Sequence, residues 1–185
     1  MRLVLASASP QRRDILASLG LEFDVRPTNV REDDEGPAKT VAQENALRKA
    51  LACDRTDDEI VLAVDTIVAM DLELWGKPPN AEAAAETLRR LSGQTHEVVS
   101  GFAFVRAGDV RAGHEVTKVT FRTLDEATIA WYVASGEWEG RAGGYAIQGR
   151  GGALVRRIDG DYLNVVGLPV SALIELWPDL IAASR

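Results

Sequence analysis

One carboxylate, Asp65, interrupts the most apolar stretch of the chain, IVLAV followed by TIVAM. An unpaired carboxylate is expensive to bury in such surroundings, so Asp65 must meet a cation or a metal, or reach water at a cavity. A plainer reading stays open at this point, an Asp at a strand end that makes a turn or a cap. Its candidate partners are basic. Of the 21 basic residues only four are lysines, Lys39, Lys49, Lys77 and Lys118. Lys77 follows Gly76 in a loop beside prolines, and Lys49 lies on a helical pattern. Each is either a compact ammonium where an arginine fork would not fit, or a solvated surface charge.

A second candidate is the stretch LASASPQRRDIL, Leu5 to Leu16. RLVLA before it has strand composition, and Ile15, Leu16 and Leu19 recur at helical spacing. Ser9 suits an N-cap, Pro10 the first helical position and Gly20 the left-handed position after the last turn, which predicts a helix over Pro10–Leu19. Its N-terminus gathers unpaired N–H groups, and Arg12 and Arg13 add two charges beside the Ser7 and Ser9 hydroxyls. Cations there oppose the helix dipole, a conflict that an anion between them resolves. The alternative is a capped helix with solvated arginines.

A third is the glycine-dense run EGRAGGYAIQGRGGA, Glu139 to Ala153, which could bring backbone N–H groups to a ligand. It has neither a Walker-type GxxxxGK nor a dinucleotide fingerprint in the right context. Within it Gln148 offers a donor and an acceptor together, matching paired groups on a base edge, although a structural glutamine is an equal reading. His96 and His114 lie in β segments without a ligand pattern and read as structural, and no Ser/His/Asp triad can be assembled.

The elements that must position these residues follow from pattern. EFDVR (Glu22 to Arg26) reads as a second strand, REDDEGP as an acidic loop, and Thr40 to Cys53 as a helix. The apolar runs around Asp65 have the character of a strand buried on both faces. Asn80 can cap a helix over Ala81–Leu91. HEVVSGFAFVRA and HEVTKVTFRT are long β segments separated by the turn-like AGDVRAG. TLDE (Thr123 to Glu126) has the form of a capping box opening a helix through Tyr132. LVRRI, the turn DGD and YLNVV follow the glycine-dense run, and Pro169 opens a last helix. The mixture predicts an α/β protein, a three-layer fold around a mixed β-sheet, and a single domain over residues 1–185.

Bulk composition sets limits. With 46% hydrophobic and 26% charged residues over 185 positions, the chain can bury a sizeable core. A net charge of −7 disfavours a nucleic-acid polymer as partner but allows a small anion in a local basic pocket. The single Cys53 cannot form an internal disulfide, which fits a cytoplasmic setting. The apolar run of MRLVLASAS is too short for a signal peptide, and no stretch is long enough to span a membrane.

Taken together, LASASPQRR, Glu32 after the second strand, ENALRKA, VLAVDTIV, WGKP, LSGQTHEVVSG, AGGYAIQG and DGDYLNVVGLP resemble the Maf family of nucleoside triphosphate pyrophosphatases, from Leu3 to about Leu176. The resemblance implies a Maf/inosine triphosphatase-like fold, often dimeric, and metal-dependent cleavage between the α and β phosphates to a nucleoside monophosphate and pyrophosphate. It implies for Asp65 the part of general base or metal-side carboxylate, with Glu32 as a second metal carboxylate. It places Ser7, Arg12, Lys49 and Lys77 around the phosphates, and a divalent cation, Mg or Mn, as cofactor. Thr66 after Asp65, and the IQG containing Gln148, resemble the branch acting on dTTP and UTP. Gln11 stands where that branch usually has Arg, which implies relaxed or shifted substrate choice, and Gly140–Arg141 replaces a usual Asp-Lys pair. Alternatives are a pyrophosphatase of modified or purine triphosphates such as 7-methyl-GTP, and a non-catalytic nucleotide-binding regulator of cell division.

Overall fold

Alternation along the strand that carries Asp65 sorts its side chains between two faces of a sheet. The computed structural model describes residues 2–182. Its strands are β1 (Arg2–Leu5), β2 (Phe23–Val25), β3 (Glu59–Met70), β4 (Glu73–Trp75), β5 (Thr95–Arg106), β6 (Asp109–Phe121) and β7 (Val155–Asp159). They form one sheet in the order β2-β1-β3-β5-β6-β7, with β4 paired to β3. β1 is parallel to β2 and β3, and the other pairings are antiparallel, so the sheet is mixed as expected.

The helices are α1 (Pro10–Ser18), α2 (Ala38–Ala52), α3 (Ala81–Leu91), α4 (Glu126–Val133), α5 (Tyr162–Val166), α6 (Val170–Leu176) and α7 (Asp179–Ala182). On one face Ile15, Leu16 and Leu173 pack on Leu5, Leu62 and Phe104. Farther along that face Leu88, Leu91, Ile129 and Tyr132 pack on Val68, Val98 and Phe121. α2 covers the opposite face, with Ala46 and Ala50 on Val61, Ala63 and Ala103. Its small residues let it lie close to the sheet. At Gly101, which pairs with Asp65, an added Cβ would stand 2.1 Å from the Ala42 carbonyl, so only glycine admits the helix at this distance.

This close approach matters because the sheet opens beside Asp65. β1 ends at Leu5 opposite Leu62, the Ala6 N–H adds one more bond to the Leu62 carbonyl, and β4 takes up pairing only from Val68. The intervening β3 residues have a vacant edge on that side. A crevice beyond the carboxyl end of a parallel strand is where open α/β sheets bind ligands.

Several sequence boundaries shift. α1 stops at Ser18, and α2 begins at Ala38 and ends at Ala52, so Cys53 follows the helix. AGDVRAG is mostly strand, since β6 already starts at Asp109 and only Ala107 and Gly108 are left for the turn. Asp125, not Thr123, caps α4 by accepting from the Thr128 N–H at 2.8 Å. YLNVV is the short helix α5, opened by the Asp161 carboxylate accepting from the Leu163 N–H at 2.7 Å and closed at Gly167. Pro169 does open a helix, but Pro178 interrupts it and α7 follows.

Candidate active site

Successive residues of a strand point to opposite faces, so Asp65 and Thr66 engage different helices at the vacant edge. Asp65 faces α2. Its Oδ1 accepts from Lys49 Nζ at 2.6 Å and its Oδ2 from Asn45 Nδ2 at 3.1 Å. Asn45 and Lys49, four apart, share one face of α2. Lys49 also reaches Glu32 at 2.6 Å, so one nearly buried ammonium bridges two carboxylates. Asp65 therefore meets a cation and borders a cavity, and the simple turn or cap reading does not describe it.

Thr66 faces α1. Arg12 donates to Thr66 Oγ1 at 3.1 Å, to Ser7 Oγ at 2.9 Å and through Nε to the Gly167 carbonyl at 2.9 Å. Thr66 is itself braced by Ser100 at 2.9 Å. Each terminal guanidinium nitrogen keeps one hydrogen beyond these bonds. Ser7 accepts from both Arg12 and the Ser9 N–H, which leaves its hydroxyl hydrogen uncommitted. Burial lowers the Arg12 pKa from its ordinary value, opposed by the charges of Asp65 and Glu32.

The opening stretch thus brings Ser7 and Arg12 to the cavity wall, and it departs from the sequence reading in two respects. Ser9 sits at the N-cap position but its side chain does not cap; its hydroxyl donates to Gln11 Oε1 at 3.1 Å. Arg13 is exposed and does not line the cavity, because the helical turn that aims Arg12 inward turns its neighbour out.

The cavity has a volume of about 730 Å³ and is lined by Ser7, Gln11, Arg12, Glu32, Lys49, Asp65, Thr66, Lys77 and Gln148, so every sequence-predicted site residue meets there. Its second wall is made of loops. Lys77 is exposed on the turn after β4, whose Trp75 lies 4.3 Å under the Arg90 guanidinium. The Gly143 N–H donates to the Gly76 carbonyl at 3.1 Å, tying the glycine-dense run to this turn. Gly143 has φ +66° and an added Cβ would lie 2.8 Å from Val68, so glycine is required there.

Four of the six glycines in the run do not offer their N–H groups to a ligand as their density suggested. Those of Gly143, Gly144, Gly149 and Gly152 all bond within the protein. They shape a scaffold that leaves Gln148 exposed in the cavity wall. His96 is buried beneath it, bonded to the Tyr145 hydroxyl at 2.8 Å, and burial pushes its pKa down to about 4. His114 pairs with Gln43 on the sheet's other side of the site. Neither histidine lines the cavity, in keeping with a structural reading.

Sequence reasoning passed over Asn45, Ser100 and the brace formed by Arg48 with Asp33 at 2.6 Å. The i, i+4 spacing of Asn45 and Lys49 in ENALRKA was a usable signal for the first of these. Among the described residues no group of three or more His, Cys, Asp or Glu is placed to hold a metal ion. Glu32 and Asp65, which share Lys49, line the cavity together with Asp33, Asp34 and Glu139, and one or two such carboxylates completed by substrate phosphates could hold a hard divalent cation such as Mg²⁺.

Crevice, buried ammonium and guanidinium, and paired carboxylates together define an α/β protein built to take a polyanion. The Maf-like protein family model matches residues 2–180, and the chain belongs to the Maf family. It is similar to proteins named dTTP/UTP pyrophosphatase. That of Pyrococcus furiosus is 42% identical, covering 95% of this chain and 93% of the relative. That of Gloeobacter violaceus is 43% identical over 95% and 94%, and that of Moorella thermoacetica 46% over 95% and 93%.

Proposed function

We propose that the chain acts as one catalytic domain that hydrolyses nucleoside triphosphates, dTTP and UTP first, between the α and β phosphates, releasing a nucleoside monophosphate and pyrophosphate. The observation that carries this reading is the Lys49 ammonium held at 2.6 Å from both Asp65 and Glu32, in a cavity that also contains Arg12. Cations alone would serve affinity for a polyanion. A carboxylate fixed among them serves the activation of water, which makes the enzyme reading stronger than that of a non-catalytic binding regulator.

In this reading Asp65 orients a water and takes its proton as the water oxygen bonds to phosphorus. The bond between the α and β phosphates breaks and pyrophosphate leaves with the electron pair. Arg12, Ser7, Lys49 and Lys77 donate to phosphoryl oxygens whose charge grows in the transition state, and the first three are already held by bonds within the site before reaction. Glu32 and Asp65 would hold Mg²⁺ or Mn²⁺, consistent with their hard oxygen donors. When bound, such an ion neutralises phosphate charge. Gln148 reads the base: its carbonyl accepts from N3–H of uracil or thymine while its amide donates to O4. Gln11 and Thr66 border the same space and help set substrate choice. A cytoplasmic setting and a homodimer belong to the same proposal; no helix among the described residues is long and apolar enough to cross a membrane.

The test is kcat/KM across UTP, dTTP, CTP, GTP and 7-methyl-GTP, for the native protein and for Gln11→Arg. Preference for UTP and dTTP is expected, with Gln11→Arg sharpening it. A strong preference for a guanine nucleotide would overturn the base assignment, and tight binding with no turnover of any triphosphate would favour the regulator.

A further inference from the structure

The segment that supplies Lys49 also carries Asn45, which does not line the cavity and is only 1% exposed. Its carboxamide makes three bonds of consequence. Oδ1 accepts from the Asp33 N–H at 2.8 Å, and Nδ2 donates to the Asp33 carbonyl at 2.9 Å and to Asp65 Oδ2 at 3.1 Å. One side chain therefore binds both backbone groups of the residue next to Glu32 and gives its last hydrogen to Asp65.

Only a carboxamide has this combination. A carboxylate lacks the two donors, and a hydroxyl has one hydrogen where two are needed. With Lys49 on Oδ1 and Asn45 on Oδ2, both oxygens of Asp65 are held, so the plane of its carboxylate is fixed while each oxygen keeps a further lone-pair direction. Arg48 supplies an internal control. It anchors the same loop, donating to the Arg31 carbonyl at 2.7 Å and to Asp33, and it touches Asn45 Oδ1 at 3.4 Å, with no bond to Asp65.

We propose that Asn45 is a positioning residue, which sets the orientation of the Asp65 carboxylate and locks the Glu32 loop to it in the same stroke. This rests on the reading of Asp65 as the base. Its loss should act on the rate of the chemical step more than on substrate capture, since the Asn45 side chain makes no bond to Arg12, Lys49 or Lys77.

The experiment measures kcat and KM with UTP for Asn45→Ala, Asn45→Asp, Arg48→Ala, Asp65→Asn and the double variant Asn45→Ala/Asp65→Asn, with thermal melts of each. Expected is a roughly ten- to hundredfold fall in kcat for both Asn45 variants, the size found when a group orienting a functional side chain is removed, with KM within about threefold. Arg48→Ala should stay within about threefold in kcat, and the double variant should be no slower than Asp65→Asn alone. Asn45→Asp keeps the shape of the side chain but buries a second carboxylate against Asp65, so a loss of rate supports the proposal only in Asn45→Ala. Native kcat in either folded Asn45 variant would overturn the proposal, as would an equal loss in Arg48→Ala or a further loss in the double variant. Native turnover in Asp65→Asn would instead overturn the assignment of Asp65 itself.

Discussion

On the α2 wall of the cavity, Lys49, Glu32, Asp65 and Asn45 are bonded to one another at 2.6 to 3.1 Å, whereas on the loop wall the side chains of Lys77 and Gln148 make no hydrogen bond to any described residue. The first wall is backed by a helix pressed against the sheet at Gly101, and the second by two loops joined through Gly76 and Gly143. The difference matches the work proposed for each. Groups that stabilise growing charge work best when their orientation is settled beforehand. Groups that recognise a ligand's own polar edge must stay unpaired until it arrives, because a satisfied amide has nothing left to offer.

If that division is right, substitutions on the two walls should fail differently. The largest effect is expected from Asp65→Asn, which keeps the side-chain volume but removes the base: kcat should fall by about 10³-fold or more while the protein stays folded and still binds UTP. Calorimetric titration beside steady-state rates checks this, and loss of binding in parallel with turnover would erase the contrast between the walls. Lys77→Ala should cost about 10²-fold in kcat/KM, the scale of removing one donor to a developing anion. An unchanged rate would return Lys77 to the solvated surface.

Gln148→Glu should lower kcat/KM for UTP and dTTP by about ten- to a hundredfold, since a carboxylate would face the O4 acceptor without a donor. An equal loss on every triphosphate would remove base reading from this wall. The smallest effect concerns the footing of the loops. His96 has its pKa depressed by burial to about 4, below the roughly 6.5 of the unfolded chain. Its contribution to stability is therefore complete above pH 6.5 and is lost as pH falls toward 4, on the order of 3 kcal/mol. Melting temperature should rise with pH across that window, from about 4 to 6.5, and the rise should flatten in His96→Phe; an unaltered slope would detach this histidine from acid sensitivity.

The two walls also differed in how far the sequence disclosed them. Asp65 announced itself by polarity among apolar neighbours, and Arg12 by its place in the first turn of a punctuated helix, so local pattern sufficed. The long β3 followed from a continuous apolar run interrupted by a charge, and the mixed sheet from the mixture of helices and strands along the chain. What stayed hidden depends on distant partners. Ser9 resembles an N-cap, but its hydroxyl is taken by Gln11. The glycine run suggested free N–H groups, yet Gly143 donates to the Gly76 carbonyl on another loop, and Gly144, Gly149 and Gly152 donate to carbonyls within the run, in tight turns that composition alone does not show. Asn45 gave little sign by residue type, because its function depends on the backbone of a loop twelve residues away.

The central claim, hydrolysis of the anhydride between the α and β phosphates at the Asp65 wall, is tested most directly by identifying products. Incubating UTP with the protein and a divalent metal and following phosphorus by NMR should show UMP and pyrophosphate appearing in equal amounts, with neither formed by Asp65→Asn. Orthophosphate appearing with UDP would contradict the account.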